Sequence, residues 1–268
     1  MRSLPSAVMH VRRTGTGPPV LLVHGSMLGG RYQWMEQSSL RHRWELLVAE
    51  RAGYRDGDEM GEDWSVDAAH IAEELARHDD GVHVVGFSYG AVGCALAAVG
   101  APERVRSLTL IEPSMWSIAF DVPEVKATYD SLIGAVVEHH GDPGAMAQAF
   151  LDRAGAQQRV RQDRLPRALQ VGVRAVASGR PSGEAEIPLA RLAGAPYPKL
   201  VISGEHSVAF ETIADRVAAG IGARRARLPG AGHGVPALGD PVNALLEALW
   251  AEAEAARSAA PSGGSGSR

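Results

Sequence analysis

Cysteine is almost missing from this chain: Cys94 stands alone among 268 residues. No internal disulfide can form, so an apolar core must hold the fold, and a reducing, cytoplasmic setting is the expectation. Runs of signal-peptide or membrane-span length are also lacking, which argues against a secreted or membrane-embedded protein. There is no surplus of basic charge. Lys and Arg total 27 against 31 Asp and Glu, a formal charge of −4, which offers nucleic acid no basic face. Lysine occurs only at Lys126 and Lys199, and the glycine-bearing turn at 86–90 is too short, and without a lysine, to be a nucleotide phosphate loop. No spacing of His, Cys and acids fits a zinc site. The pair His139-His140 reads as a solvated helix end. No cofactor, no metal and no internal repeat are implied.

What is present centres on one stretch. The apolar run Val82-His83-Val84-Val85 ends in Gly86-Phe87-Ser88-Tyr89-Gly90, and a small-residue helical pattern follows from Val92 to Val99. Strand, sharp turn and helix are the context of a nucleophile elbow. Such a turn forces strained dihedrals on Ser88, and its neighbours at 86 and 90 must lack bulk so that helix and strand can approach. Cys94, inside that helix, reads as a small buried side chain.

Around the elbow, strand and helix patterns alternate. Residues 7–13, 20–23, 44–49 and 105–111 read as strands, with helical patterns at 32–40 and 67–78. This alternation predicts a doubly wound α/β sheet. From residue 113 to 198 the strand signal disappears, and helices are predicted at 123–140, 142–154 and 163–178. Sheet patterns resume with a strand at 199–203, a helix at 208–221 and a strand at 224–228. The loop 230–234 and a helix at 236–256 follow. The division expected is a core of 1–112 and 199–257, a helical cap of 113–198, and a disordered Ser/Gly/Ala-rich tail of 258–268.

The elbow, His24-Gly25 after an early strand, and Gly230-Ala231-Gly232-His233-Gly234 before the last helix stand in the order and spacing of the α/β-hydrolase superfamily. The chain resembles that superfamily over residues 7–256. The resemblance implies the α/β-hydrolase fold, a doubly wound, mostly parallel sheet with a helical cap inserted after the sixth strand. It does not specify a substrate, because esterases, lactonases, thioesterases, perhydrolases, lyases and a few receptors share the architecture.

A serine hydroxyl is a poor nucleophile at neutral pH and needs a base in hydrogen-bond reach. Of ten histidines, only His233 sits in a Gly-rich loop at the position where the family carries its base. His24 is similar to the family's structural histidine, and His83 lies mid-strand; both read as packing residues. For the oxyanion, the resemblance implies the backbone N–H groups of Tyr89 and Ser26. The acid departs from the family pattern. Relatives usually carry Gly-x-x-Asp after the penultimate strand, whereas here Gly204-Glu205-His206-Ser207 puts a serine in the aspartate's place. A triad without its carboxylate loses on the order of 10⁴ in rate. Glu112, in Leu110-Ile111-Glu112-Pro113 at the tip of the neighbouring strand, is the leading replacement, an arrangement similar to that of haloalkane dehalogenase-like members and zearalenone lactonases. Glu205 as acid, or a Ser-His dyad, stays open at this point. Ser207 then reads as the N-cap of the helix from Val208.

Cap residues Trp116, Ile118, Phe120, Tyr129, Leu132 and Met146 are candidates for lining an apolar pocket or for packing the cap. Met115 and Trp116 are the expected lining residues from the cap side, with Met27 and Leu28 beside the oxyanion loop. The expectation is a cofactor-independent serine hydrolase using Ser88, His233 and Glu112 on an ester or lactone of a hydrophobic small molecule. Alternatives are a cyclase or lyase using His233 as base, and a ligand-binding protein with a degenerate triad. The partner expected is a small molecule, not nucleic acid or membrane; monomer and homodimer are both open.

Overall fold

The computed structural model describes residues 8–259. In chain order the strands are β1 (His10–Thr14), β2 (Pro19–Val23), β3 (Glu45–Glu50), β4 (Val82–Phe87), β5 (Val105–Ile111), β6 (Lys199–Ser203) and β7 (Arg224–Arg227). They form one sheet in the order β1-β3-β2-β4-β5-β6-β7, in which β1 runs antiparallel to β3 and every other pair is parallel. Strand β4, wholly buried, lies at the centre. Its neighbour β2, apolar throughout, makes sense in a parallel sheet covered on both faces.

Side chains of successive strand residues alternate between two apolar layers. Leu21, Val23, Val84, Leu108 and Val201 pack with Ile71, Val92, Ile213 and Val217 on one side of the sheet. Leu22, Val85, Ile111 and Ile202 pack with Trp34, Trp44, Leu246 and Trp250 on the other. The helices are α1 (Gly30–Gln33), α2 (Trp64–Ala76) and α3 (Tyr89–Gly100), then α4 (Pro123–Glu138), α5 (Pro143–Arg153), α6 (Arg167–Ala177), α7 (Leu189–Ala193), α8 (Val208–Ile221) and α9 (Asp240–Ala259). Among the described residues, no helix is long and apolar enough to cross a membrane.

Several boundaries differ from the sequence reading. The helical pattern at 32–40 resolves into the short α1 and a 3₁₀ segment, Glu36–His42. The last helix starts at Asp240 instead of 236, because Pro236 belongs to a 3₁₀ turn and Gly239, at φ 66°, breaks the chain direction. It then continues through Ala259, so residues 258 and 259 of the predicted disordered tail are helical; the rest of that tail lies outside the described residues. The cap, α4 to α7, follows β5, which is the fifth strand among the described residues where a sixth was expected. Leu169, Val173 and Val176 of α6 pack on Met27 and Met146. A Cβ at Gly172 would overlap the Met27 carbonyl, so this cap helix rests directly on the loop after β2.

Candidate active site

Ser88 closes β4 and opens α3 with φ 51° and ψ −119°, outside the regions an L-residue prefers. Its N–H donates to the Ile111 carbonyl of β5 at 2.9 Å, which pins the turn to the sheet. The two glycines are required by contact. A Cβ at Gly86 would lie 2.6 Å from Ala91 Cα, and one at Gly90 would overlap the His24 carbonyl. The hydroxyl that results is buried but faces two cavities.

His233 and Glu112 meet this hydroxyl from separate loops. His233 Nε2 lies 3.0 Å from Ser88 Oγ, and His233 Nδ1 lies 2.9 Å from Glu112 Oε2. With Nδ1–H donating to the carboxylate, Nε2 is left to accept the serine proton. Glu112 is fully buried at the tip of β5, with φ 47° and its own N–H donating to the Ile202 carbonyl at 2.8 Å. Its Oε1 accepts the Gly204 N–H at 2.6 Å, and its Oε2 also accepts Nε2–H of His206 at 2.9 Å. Burial pushes this carboxyl's pKa up, but the hydrogen bonds from His206 and His233 outweigh it and hold the group down at about 2. Ser207 occupies the N-cap of α8, although its hydroxyl makes no capping bond. Glu205 is exposed and turned outward, its N–H bonded to Glu211 at 3.1 Å.

The opposite flank of Ser88 is the loop after β2. The N–H groups of Ser26 and Tyr89 have no acceptor among the described residues. Ser26 Oγ donates to Glu62 at 2.9 Å, and Met27, at φ 70°, donates its N–H to the Tyr54 hydroxyl at 3.2 Å. Glu62 in turn accepts from Tyr54 Oη at 2.7 Å and from Arg51 Nη2 at 2.8 Å. Arg51, fully buried, also pairs with Asp67 at 2.7 Å and donates to the Gly25 carbonyl at 3.0 Å. His24 donates from Nδ1 to Gly25 O and accepts the Arg51 N–H at Nε2, a neutral tautomer; burial and the Arg51 charge hold its pKa well below the usual value. None of Arg51, Tyr54, Glu62 or Asp67 stood out in the sequence. Met27, Ser88, Glu112 and Glu205 are the non-glycine residues with positive φ among those described, and all four lie on loops framing this site.

A cavity of about 160 Å³ between Ser88 and the cap is lined by Trp116, Tyr129, Leu132, Val136 and Phe210. A second, about 350 Å³, is lined by Met27, Leu28, Tyr32, Leu151 and Leu169. Ser26, Ser88, His233, Phe150 and Ala154 border both. Met115, expected as a lining residue, lines neither. The turn after Glu112 directs it into the core under α3 and α8, where it is fully buried. Ile118, Phe120 and Met146 also line neither cavity. His206, absent from the expected set, is the one polar partner of Glu112 that only its position beside Ser207 could have flagged. Glu112, His206 and His233 bring their ligand atoms within 4.8 Å of one another, the group among the described residues that could hold a metal ion, although each is committed to a hydrogen bond.

Comparison with known proteins agrees with this architecture. Residues 20–248 match the sequence profile described as the alpha/beta hydrolase family, and the chain belongs to that family. Over 108 residues it is 32% identical to epoxide hydrolase 3 of Siraitia grosvenorii, covering 37% of this chain and 34% of that one. Over 130 residues it is 27% identical to the pimeloyl-acyl-carrier protein methyl ester esterase of Aeromonas hydrophila subsp. hydrophila, covering 46% of this chain and 50% of the other. The matches thus span between about a third and a half of these relatives. Among solved structures, a thermophilic esterase from Thermogutta terrifontis superposes with a TM-score of 0.70 at 20% identity, over 91% of this chain and 93% of that one, a likeness of fold.

Proposed function

We propose that the protein is a cofactor-independent serine hydrolase that cleaves a carboxylic ester or lactone of a hydrophobic small molecule. The observation that carries this reading is the unbroken chain of contacts from Ser88 Oγ through His233 to Glu112, at 3.0 and 2.9 Å. His233 takes the serine proton as Oγ attacks the carbonyl, and Glu112 stabilises the imidazolium that forms. The free N–H groups of Ser26 and Tyr89 receive the oxyanion. His233 then returns its proton to the leaving alcohol, and water activated by the same imidazole releases the acid. Apolar walls in both cavities favour hydrophobic arms on either side of the carbonyl. The chemistry of the nucleophile separates this reading from that of the epoxide hydrolase relative. An epoxide opened by a serine oxygen would leave an ether that water cannot cleave readily, whereas an acyl-serine is hydrolysable. The cytoplasm, suggested by the single cysteine, is the compartment we assign.

An activated aryl ester tests the proposal. A burst of phenol equal to the enzyme concentration is expected, with an acyl mass on the Ser88 peptide and loss of both in Ser88→Ala. Turnover that persists in Ser88→Ala would end the covalent mechanism.

A further inference from the structure

We propose that His206 is a positioning residue of this site, holding Glu112 in the rotamer that serves His233; the inference rests on the Ser-His-Glu reading above. Two imidazoles share one carboxylate oxygen: His206 Nε2 and His233 Nδ1 each lie 2.9 Å from Glu112 Oε2. A glutamate reaching across from the neighbouring strand has one more rotatable bond than an aspartate, so its head must be fixed from outside. Gly204 N–H fixes Oε1 at 2.6 Å. His206 does the same for Oε2, independently of the base that the oxygen must serve.

The charge needs the same donor. The partners within ion-pair distance of fully buried Glu112 are His206 and His233, with no Arg or Lys among the described residues. A buried carboxylate without a permanent cation stays ionised only if its lone pairs are met by donors. His206 supplies one at 2.9 Å, on the oxygen that also faces His233.

His206 is itself held in place. Its ring lies against Phe210 of α8, with centroids 5.1 Å apart. Its Nδ1 edge abuts Gly155 of the cap, where any Cβ would overlap the ring. The Gly155 carbonyl accepts the His233 backbone N–H at 3.0 Å, so one strap of the cap braces both histidines. The loop that lacks the family's aspartate at Ser207 therefore contributes, one residue earlier, a donor to the acid on the adjacent strand.

The test compares His206→Phe, which keeps a ring against Phe210 and removes the donor, with His206→Gln, whose amide nitrogen reaches a similar point. Steady-state kinetics on the aryl ester should show kcat falling about 10- to 100-fold in the Phe variant, the span of a hydrogen bond to a charged group, with KM within about twofold. The Gln variant should recover to within about threefold of the parent. The downfield proton resonance of His233 Nδ1–H should move in the Phe variant and stay in the Gln variant. Parental kcat in the Phe variant, or a Gln variant as slow as Phe, overturns the role of His206. Failure of the serine mechanism shows separately, as turnover retained in Ser88→Ala. In that event the proton resonance alone decides: moved by Phe and kept by Gln, it upholds the positioning role, and unmoved by Phe it refutes it.

Discussion

Two buried polar clusters flank Ser88, and they are built on opposite principles. On the oxyanion side, Arg51 faces the carboxylates of Glu62 and Asp67, with Tyr54 and Ser26 closing the remaining positions. Every charge there meets a permanent countercharge. On the base side, Glu112 faces Gly204 N–H and two imidazoles, whose charge depends on protonation. The first cluster has its charges paired, with only Arg51 Nε lacking a hydrogen-bond partner, and reads as a frame for the loop from Gly25 to Met27. The second holds its anion with hydrogen-bond donors and no Arg or Lys at ion-pair distance among the described residues. Similar burial thus accompanies different solutions: one network meets its carboxylates with a guanidinium, the other meets its carboxylate with an amide and two imidazoles.

The largest effect expected comes from Glu112→Gln. Replacing the anion by an amide should lower kcat by about 10³- to 10⁴-fold, while urea unfolding shows a native-like transition. A collapse of stability instead would make Glu112 as structural as Arg51 and dissolve the contrast. Arg51→Met is the converse change. It strands Glu62 and Asp67 without their cation, and a loss of about 3–5 kcal/mol in unfolding free energy is expected. If that variant unfolds at the parental midpoint, the frame is not held by its charges.

Acid should act on stability in two separate pH ranges. His24 and His83 are buried neutral, with pKa values below the ordinary 6.5 and, for His83, held at about 3 by burial, then by Arg106 and Arg257. The unfolded chain takes up their protons first, so stability should begin to fall as pH drops below about 6.5. Glu112, held at about 2 against an ordinary value of 4.5, adds its share only below about 4.5. Unfolding midpoints from pH 7 to 3 should show that second decline reduced in Glu112→Gln. The smallest change is Ser26→Ala. Glu62 keeps Arg51 and Tyr54 in that variant, so about 1 kcal/mol of stability and a few-fold in kcat are expected by urea unfolding and aryl-ester kinetics.

How much of this was legible in the sequence follows from the kind of signal each residue leaves. Ser88 is announced by two glycines that sterics demand, and His233 by a Gly-rich loop before the last helix. Glu112 emerges by subtraction, since Ser207 stands where a carboxylate was expected. The frame around Arg51 leaves no such trace. Charged residues belong on the surface by default, and nothing in the spacing of 51, 54, 62 and 67 says that they converge. His206 was hidden for a related reason: a histidine in a polar loop looks solvated until the adjacent strand brings a carboxylate to it. Met115 failed differently. Its position just after Glu112 suggested the cavity, but a tight turn reverses side-chain direction within one or two residues, and of the pair only Trp116 lines the cavity.

The strap at residues 155–157 touches the base loop twice, through Gly155 O to His233 N–H and through Gln157 Nε2 to Gly230 O at 3.0 Å. Any displacement of that strap would withdraw the acceptor from the His233 backbone N–H. The seat of the His233 backbone is thus supplied by the cap, and not by the sheet that carries Ser88.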